Sequence, residues 1–284
     1  MQQLLPALSA EAKADAACRT DFRPLGAGLL RPGRAWRGGD LSFATDEDQR
    51  AIWRAAGLRT FLDLRSNESA FELECLQRPV FGRFASRLNF ELAEGLLPGG
   101  GAMTGDPRAA EYRRRIESGE LGPAAPGGMA EFMLELNKQM LTVHGDRIRA
   151  ALMEFTRAAS FPIMLGCMHG KDRTGLVAAL LLGACGFGRA EVMADYAISA
   201  QSVEKQLDVE ECRFAADTRR QEQGPIDSRD QRRPRSEIHP EILEATLAWL
   251  DEEHGGILSY LEGIGIDAEA VAALRAELLP TGRL

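Results

Sequence analysis

One short motif limits what this chain can fold into more than any other feature. Residues 167–175 read CMHGKDRTG, so a cysteine and an arginine stand six positions apart around a glycine. The apolar segment FPIML before the motif is typical of a buried strand, and RTGLVAALLLGACG, which overlaps its end, is typical of a helix. Strand, glycine-containing loop and helix, in this order, can bind a phosphate group at the helix N-terminus.

The two ends of the motif carry side chains suited to phosphoryl transfer. A thiol at a helix N-terminus and beside an arginine is often ionised at neutral pH, which makes it a nucleophile. The planar guanidinium of Arg173 offers paired donors that can hold two phosphoryl oxygens through the transition state. We therefore expect Cys167 to be the nucleophile and Arg173 to bind the phosphate.

The residues between these ends fit a phosphate cradle. Successive backbone N–H groups in such a loop can turn toward one anion, and Gly170 allows backbone angles that other residues resist. We expect Thr174 to donate its hydroxyl to the cysteine sulfur and Lys171 to add a positive charge at the rim. The predicted substrate-binding residues are Met168, His169, Gly170, Lys171 and Thr174.

A nucleotide-binding Walker A loop is excluded by spacing. That loop needs four residues between its first glycine and the Gly-Lys pair, and a Ser or Thr after the lysine. Here three residues separate Gly166 from Gly170, and Asp172 follows Lys171.

Three aspartates are candidates for the general acid, which must lie within hydrogen-bond reach of the leaving oxygen. Asp172, inside the motif, ranks first. Asp63, at the polar end of the predicted strand LRTFLDLRS, ranks second, and its alternative role is a salt bridge with Arg65 or a neighbouring arginine. Asp106 ranks third, because it lies in a Gly-rich segment that reads more readily as a solvated loop.

Two further patterns predict regular structure. Thr45 begins the stretch TDEDQRAIWRAAG, whose acidic first turn and final Gly57 predict a capped helix. Apolar positions recur at helical spacing from Met129 to about Ala159, and the last fifty residues predict three amphipathic helices with glycine stops.

The motif resembles the signature loop of the cysteine-dependent tyrosine phosphatase superfamily. Its GKDRTG form is similar to that of bacterial tyrosine phosphatases of the lipid-phosphatase-like, secreted-virulence-factor type. The similarity extends to AWRGGDLSFATDED, GLRTFLDLRS and LAWLDEEHGGILSYLEGIGI. The resemblance implies an α/β fold with a central, mainly parallel sheet flanked by helices, tyrosine-phosphatase-like, with a helical lid. It also implies a metal-independent enzyme without cofactor that acts on phosphotyrosine, phosphoserine and phosphoinositides.

One position departs from that family pattern. The family usually has histidine immediately before the nucleophile, and this chain has Gly166. His169 inside the loop is a partial substitute. The departure leaves a non-catalytic, phosphate-binding pseudophosphatase as the alternative function. Sulfur transfer or oxyanion reduction is a third possibility, and a reductase would want a paired second cysteine.

Length and composition predict one phosphatase domain over residues 1–284. With 45% hydrophobic and 27% charged residues, the chain has enough apolar material for a sizeable core. Residues 1–20 predict an alanine-rich leader. The segments 93–130 and 213–236 are rich in Gly and Pro or in arginine, and we expect them to be mobile lid or loop segments.

Net charge and cysteine content limit the expected classes of binding partner and the expected cellular compartment. A net charge of −8 argues against a nucleic-acid-coating protein, which needs a basic surface. Five widely spaced cysteines without a CxxC pair indicate a reduced, cytoplasmic compartment. The N-terminus lacks the pattern of a cleavable signal peptide, and we expect no integral membrane segment, although secretion without such a peptide stays open. The predicted substrate is a phosphorylated protein, lipid or small molecule; no oligomeric state is predicted.

Overall fold

A central sheet organises the chain. The computed structural model describes residues 20–66, 83–96, 107–208 and 237–282. The strands in these ranges are β1 (Arg23–Pro24), β2 (Ala35–Gly38), β3 (Thr60–Asp63), β4 (Ser86–Asn89) and β5 (Ile163–Gly166). They form one five-stranded sheet with the order β1-β2-β5-β3-β4, in which β1 is antiparallel to β2 and the other pairs are parallel. The predicted α/β class with a mainly parallel sheet is confirmed.

Helices cover the sheet and follow the strands. Within the described ranges, the α-helices whose limits are defined are α1 (Asp46–Ala56), α2 (Pro107–Glu117), α3 (Gly128–Val143), α4 (Gly145–Met153), α5 (Asp172–Ala184), α6 (Arg189–Ala197), α7 (Pro240–His254), α8 (Ile257–Gly263) and α9 (Ala268–Leu278). The three C-terminal helices predicted from the sequence are confirmed as α7, α8 and α9. The helical periodicity after Met129 is divided between α3 and α4 by a break at His144.

Helix α1 begins and ends where local sequence signals place it. Thr45 Oγ1 accepts a hydrogen bond from the backbone N–H of Asp48, and the Asp48 side chain accepts one from the Thr45 backbone, which completes a capping box. Gly57 ends the helix in the left-handed conformation with φ +58°. Both predicted limits of this helix are confirmed.

The two faces of the sheet pack into separate apolar clusters, because side chains alternate along each strand. Trp36, Phe61 and Met164 lie on the face covered by α1. Leu62 and Leu165 lie on the opposite face, in the larger cluster that contains most of α5. The run from Leu176 to Leu182 in α5 is almost completely buried, which explains why this segment is apolar on all sides.

The ends of three parallel strands meet at one edge of the sheet. Gly166 of β5 is in register with Gly38 of β2 and with Asp63 of β3. Residues that directly follow these strands are therefore brought together, as at the carboxyl edges of other parallel α/β sheets. Cys167 is the residue that follows β5.

The segments predicted to be mobile are described only in part. Residues 1–19, 97–106 and 209–236 lie outside the described ranges, so the leader and the mobile character of 93–130 and 213–236 stay predictions. Helix α2 lies within 93–130, and Tyr112 is buried there. Among the residues that the structure describes, no helix is long and apolar enough to cross a bilayer.

Candidate active site

The loop between β5 and α5 carries the predicted nucleophile at its start. Cys167 is buried with 3% of its surface exposed, and α5 begins at Asp172. Gly170 lies between them with φ +74°, and a Cβ atom there would approach the carbonyl carbon of Gly38 within 2.4 Å. Gly170 is therefore required both for its backbone angle and for the close approach of the loop to the end of β2.

Arg173 and Thr174 lie in the first turn of α5. The Nη1 atom of Arg173 donates to the carbonyl of Leu64 across 3.4 Å, which places the guanidinium beside the end of β3. The hydroxyl of Thr174 is buried and makes no hydrogen bond with the described residues. It keeps its capacity to donate to a neighbouring sulfur.

Lys171 is turned inward, in contrast to the rim position expected from the sequence. Its side chain is 3% exposed, and Nζ donates to the backbone carbonyl of Glu237 across 2.8 Å. The same ammonium lies 3.5 Å from Oδ2 of Asp172. Lys171 thus ties the loop to the segment that precedes α7.

Asp172, the first-ranked acid, is accessible and oriented by a tyrosine. Its side chain is 30% exposed, and Oδ1 accepts a hydrogen bond from the Tyr196 hydroxyl across 3.3 Å. Burial and then the Asp172 carboxylate raise the pKa of Tyr196 above its ordinary value, so the phenol keeps its proton. Tyr196 lies in α6, 24 residues further along the chain, and no local sequence signal pairs it with Asp172.

Asp63, the second-ranked acid, is held in a buried ion pair. Both of its carboxylate oxygens accept hydrogen bonds from Arg65, at 2.8 Å each, and Oδ2 also accepts one from Arg87 across 3.2 Å. Asp63 and Arg65 are completely buried. The structure therefore places Asp63 in the salt bridge considered as its alternative role. Asp106, the third-ranked acid, lies outside the described residues.

A second buried ion pair lies beneath the loop and was missed by the sequence reasoning. Nη1 of Arg37, in β2, lies 2.5 Å from Oδ2 of Asp195, in α6. Burial opposes the charge of Arg37, but the carboxylates of Asp195 and Asp21 outweigh it and raise the pKa of the guanidinium. Burial also opposes the charge of Asp195, whose pKa is nevertheless lowered by Arg37 and Arg23. The pair is therefore ionised, and only the three-dimensional fold reveals it.

Packing explains the glycine that stands where the family usually has histidine. A Cβ atom at Gly166 would lie 2.8 Å from the carbonyl oxygen of Gly38 and 2.8 Å from Cε2 of Phe61. Such distances are too short for any side chain unless its neighbours move. In this protein Gly166 is thus required by the contact between β5, β2 and the Phe61 ring.

The described residues provide no alternative metal-based site. Across the described parts of the chain, no group of three or more His, Cys, Asp or Glu side chains could hold a metal ion. The candidate side chains Cys167, Asp172 and Arg173 lie instead in the glycine-containing loop and at the start of α5. This arrangement is typical of enzymes that bind a phosphoryl group and attack it with a thiolate.

Comparison with known proteins identifies the family. The chain matches the tyrosine phosphatase family over residues 22–280, and it belongs to that family. The triple specificity protein phosphatase PtpB of Mycobacterium tuberculosis is 29% identical over 281 residues, which cover 88% of this chain and 92% of PtpB. A tyrosine-protein phosphatase of Nostoc commune is 33% identical over 125 residues, 42% of this chain and 40% of that protein. The chain is thus a cysteine-based phosphatase.

Proposed function

We propose that the chain hydrolyses phosphomonoesters in two steps through a phosphocysteine intermediate. In the first step the Cys167 thiolate attacks phosphorus, the ester P–O bond breaks, and Asp172 gives its proton to the leaving oxygen. In the second step water attacks the phosphocysteine, the S–P bond breaks, and Asp172 takes a proton from the water. Inorganic phosphate is released and the Cys167 thiolate and the protonated Asp172 are regenerated, so atoms and charge balance over the cycle.

One observation carries this proposal: Cys167 directly follows the central strand β5, and Asp172 and Arg173 begin the helix after the loop. The positive end of the α5 dipole and the guanidinium of Arg173 stabilise negative charge in the loop. The buried hydroxyl of Thr174 is available to stabilise the sulfur when it leaves phosphorus. We assign Met168, His169 and Gly170 to phosphate binding through their backbone N–H groups.

The proposed substrates are phosphotyrosine and phosphoserine proteins, phosphoinositides or a small phosphorylated metabolite. The family description favours phosphotyrosine, and the name of the mycobacterial relative, a triple specificity protein phosphatase, supports a wider range. We propose a cytoplasmic location on the basis of the widely spaced cysteines. Specificity constants for phosphopeptides, phosphoinositides and inositol phosphates would rank these classes.

The chain offers a matched control for the nucleophile. Cys185 is also buried, but it lies at the opposite end of α5, and burial raises the pKa of its thiol to about 12. We expect Cys167→Ser to reduce hydrolysis of p-nitrophenyl phosphate to background and Cys185→Ser to retain wild-type activity. Wild-type activity should be blocked by vanadate and persist in EDTA. Robust turnover by Cys167→Ser would disprove the phosphocysteine scheme.

The alternative function, a pseudophosphatase, is suggested by Gly166, and the packing against Gly38 and Phe61 gives a structural reason for this glycine that does not depend on a loss of catalysis. Turnover, compared with binding of a phosphate analogue, distinguishes the two functions. A pseudophosphatase would bind tungstate, measured by calorimetry, yet show no turnover of any phosphomonoester above a no-enzyme control.

A further inference from the structure

Every carbonyl in the middle of the loop points to a donor outside the phosphate cradle. The peptide unit is planar and trans, so its C=O and the following N–H point in opposite directions. A carbonyl that points away from the phosphate cradle therefore directs the N–H of the next residue into the cradle. The four bonds run from Asp40 N to Met168 O (2.8 Å), Gln206 Nε2 to His169 O (2.9 Å), Arg37 Nη2 to Gly170 O (2.7 Å) and Gly175 N to Lys171 O (2.6 Å).

Two of these donors are backbone groups, and two are side chains. The N–H of Gly175 belongs to the first turn of α5, and that of Asp40 follows β2, so both are fixed by the fold. Arg37 and Gln206 are the side-chain donors, with 0% and 2% of their surface exposed. These two residues can be substituted without changing the amino-acid sequence of the loop.

Arg37 is held so firmly that its direction is determined. While Nη2 donates to Gly170, Nη1 is paired with Asp195. Asp195 is itself fixed, because its other oxygen accepts hydrogen bonds from Arg23, across 2.8 Å, and from the backbone of Gly26, across 3.0 Å. The guanidinium therefore connects a buried charge network to one peptide of the loop.

That peptide has no side chain of its own to fix it. Gly170 lacks a Cβ atom, and glycine has more backbone freedom than any other residue. Rotation of the peptide that follows it would turn the carbonyl oxygen of Gly170 toward the substrate, where it would repel phosphate, and would turn the N–H of Lys171 away. The hydrogen bond from Arg37 opposes this rotation, as the bond from Gln206 does for the preceding peptide.

We propose that Arg37 and Gln206 are positioning residues of the phosphatase reaction, which hold the carbonyls of Gly170 and His169 outward and so direct two N–H groups at the phosphate. This inference rests on the proposed reaction at Cys167.

Gln206 allows the sharper test, because Gln206→Glu keeps the shape of the side chain and replaces the donor by an acceptor. We expect kcat to fall about tenfold, as for one lost hydrogen bond, and the inhibition constant of vanadate to rise by a similar factor. Gln206→Met, which removes the donor without adding charge, should change both values in the same direction by a smaller factor.

Gln49 provides the matched control. It is also a buried glutamine, and its Nε2 donates to a backbone carbonyl, that of Ala44, across 3.1 Å, far from the loop in sequence. Gln49→Glu should lower the urea midpoint of unfolding while leaving kcat per folded molecule and vanadate inhibition unchanged. A purely structural role of Gln206 would give this same result.

Arg37 gives a second, independent comparison. Arg37→Lys keeps the charge but cannot bridge Asp195 and Gly170 as a guanidinium does. We expect Arg37→Met to lose more activity than Arg37→Lys, and both to weaken vanadate inhibition in the folded fraction. If the Arg37 variants fail to fold, the Gln206 pair still decides the question.

The outcomes separate this inference from the proposed function. An inactive wild-type protein, or an active Cys167→Ser variant, would reject the reaction itself. If the wild type is active and both Gln206 variants keep its kcat and its vanadate inhibition constant, the reaction stands and the positioning role is wrong.

Discussion

The phenol of Tyr196 donates a hydrogen bond to Oδ1 of Asp172 across 3.3 Å, so a residue of α6 orients the carboxyl group at the start of α5. The same ring closes against Gly175, where a Cβ atom would lie 2.7 Å from Cδ2 of the tyrosine. The orientation of the proposed acid is therefore set by packing between two helices. An acid positioned in this way must matter most for substrates whose leaving group needs a proton.

Asp172→Asn should show that dependence on the leaving group. Phenolate is a poor leaving group and p-nitrophenolate a good one, so kcat with phenyl phosphate should fall by about 100-fold or more, and kcat with p-nitrophenyl phosphate by less. Tyr196→Phe should give the same pattern with a smaller amplitude, because the carboxyl group remains. Equal losses for both substrates would show that Asp172 does not protonate the leaving oxygen.

Asp63→Asn should act on stability instead. Asp63→Asn removes the closer carboxylate from the buried Arg65 guanidinium and leaves Asp40, whose Oδ2 lies 3.6 Å from Nη1, so we expect a cost of about 3 kcal/mol. The free energy of unfolding in urea measures this loss. The ratio of kcat values for phenyl and p-nitrophenyl phosphate should stay at its wild-type value in the folded fraction; a changed ratio with unaltered stability would identify Asp63 as the acid.

These two aspartates show where sequence reasoning succeeds and where it stops. The pair of Asp63 with Arg65 joins residues two positions apart, and it was considered from the sequence for that reason. The bond of Asp172 to Tyr196 and that of Lys171 to Glu237 join residues 24 and 66 positions apart. Contacts of this range depend on how helices pack, which no local pattern encodes.

Among the secondary-structure elements, too, the features set by neighbouring residues were predicted and those set by distant contacts were not. Helix α1 was predicted with both limits, because the capping box at Thr45 and the left-handed Gly57 are local devices. The break at His144 was not predicted, since the apolar spacing continues through it from α3 into α4. The charge of Lys171 was expected at the rim because its motif suggests phosphate binding, whereas its direction is decided by the carbonyl of Glu237.

Gly166→Ala tests whether packing explains the missing histidine. The added methyl group would press on the carbonyl of Gly38 and on the ring of Phe61, so we expect a loss of about 1–3 kcal/mol in the free energy of unfolding. In the background of Phe61→Leu, Gly166→Ala should cost less stability than it does in the wild type, because one of the two contacts of the added methyl group is gone. An unchanged urea midpoint for Gly166→Ala would refute the packing explanation.

Gly170→Ala and Gly33→Ala form a matched pair for the loop. Both glycines have positive φ, +74° and +76°, but nothing lies within 4 Å of a Cβ at Gly33, whereas one at Gly170 would collide with the Gly38–Gly39 backbone. Gly33→Ala should cost about 1 kcal/mol of stability and leave kcat unchanged. Gly170→Ala should also lower kcat and weaken vanadate inhibition. Similar effects of the two substitutions on kcat would show that backbone strain alone, and not the contact with the Gly38–Gly39 backbone, explains the effect of Gly170→Ala.

His144 gives the fold a stability that depends on pH. Burial, and then the charge of Arg147, lower the pKa of His144 below its ordinary value of 6.5. Above that value the ring is neutral in both the folded and the unfolded chain, so it has no effect on the pH dependence. As the pH falls below it, the unfolded chain takes up the proton first, and the free energy of unfolding decreases until the folded-state pKa is reached.

His144→Gln removes this titration while its amide can still donate to the carbonyl of Glu94, which His144 Nε2 contacts across 3.0 Å. Urea unfolding at about pH 7.5 and about pH 5.5 should show a larger loss of stability for the wild type than for His144→Gln. The carboxylates titrate in both proteins, so their contribution cancels when the two losses of stability are subtracted. Equal losses would show that the buried ring takes up its proton as easily in the folded chain as in the unfolded one.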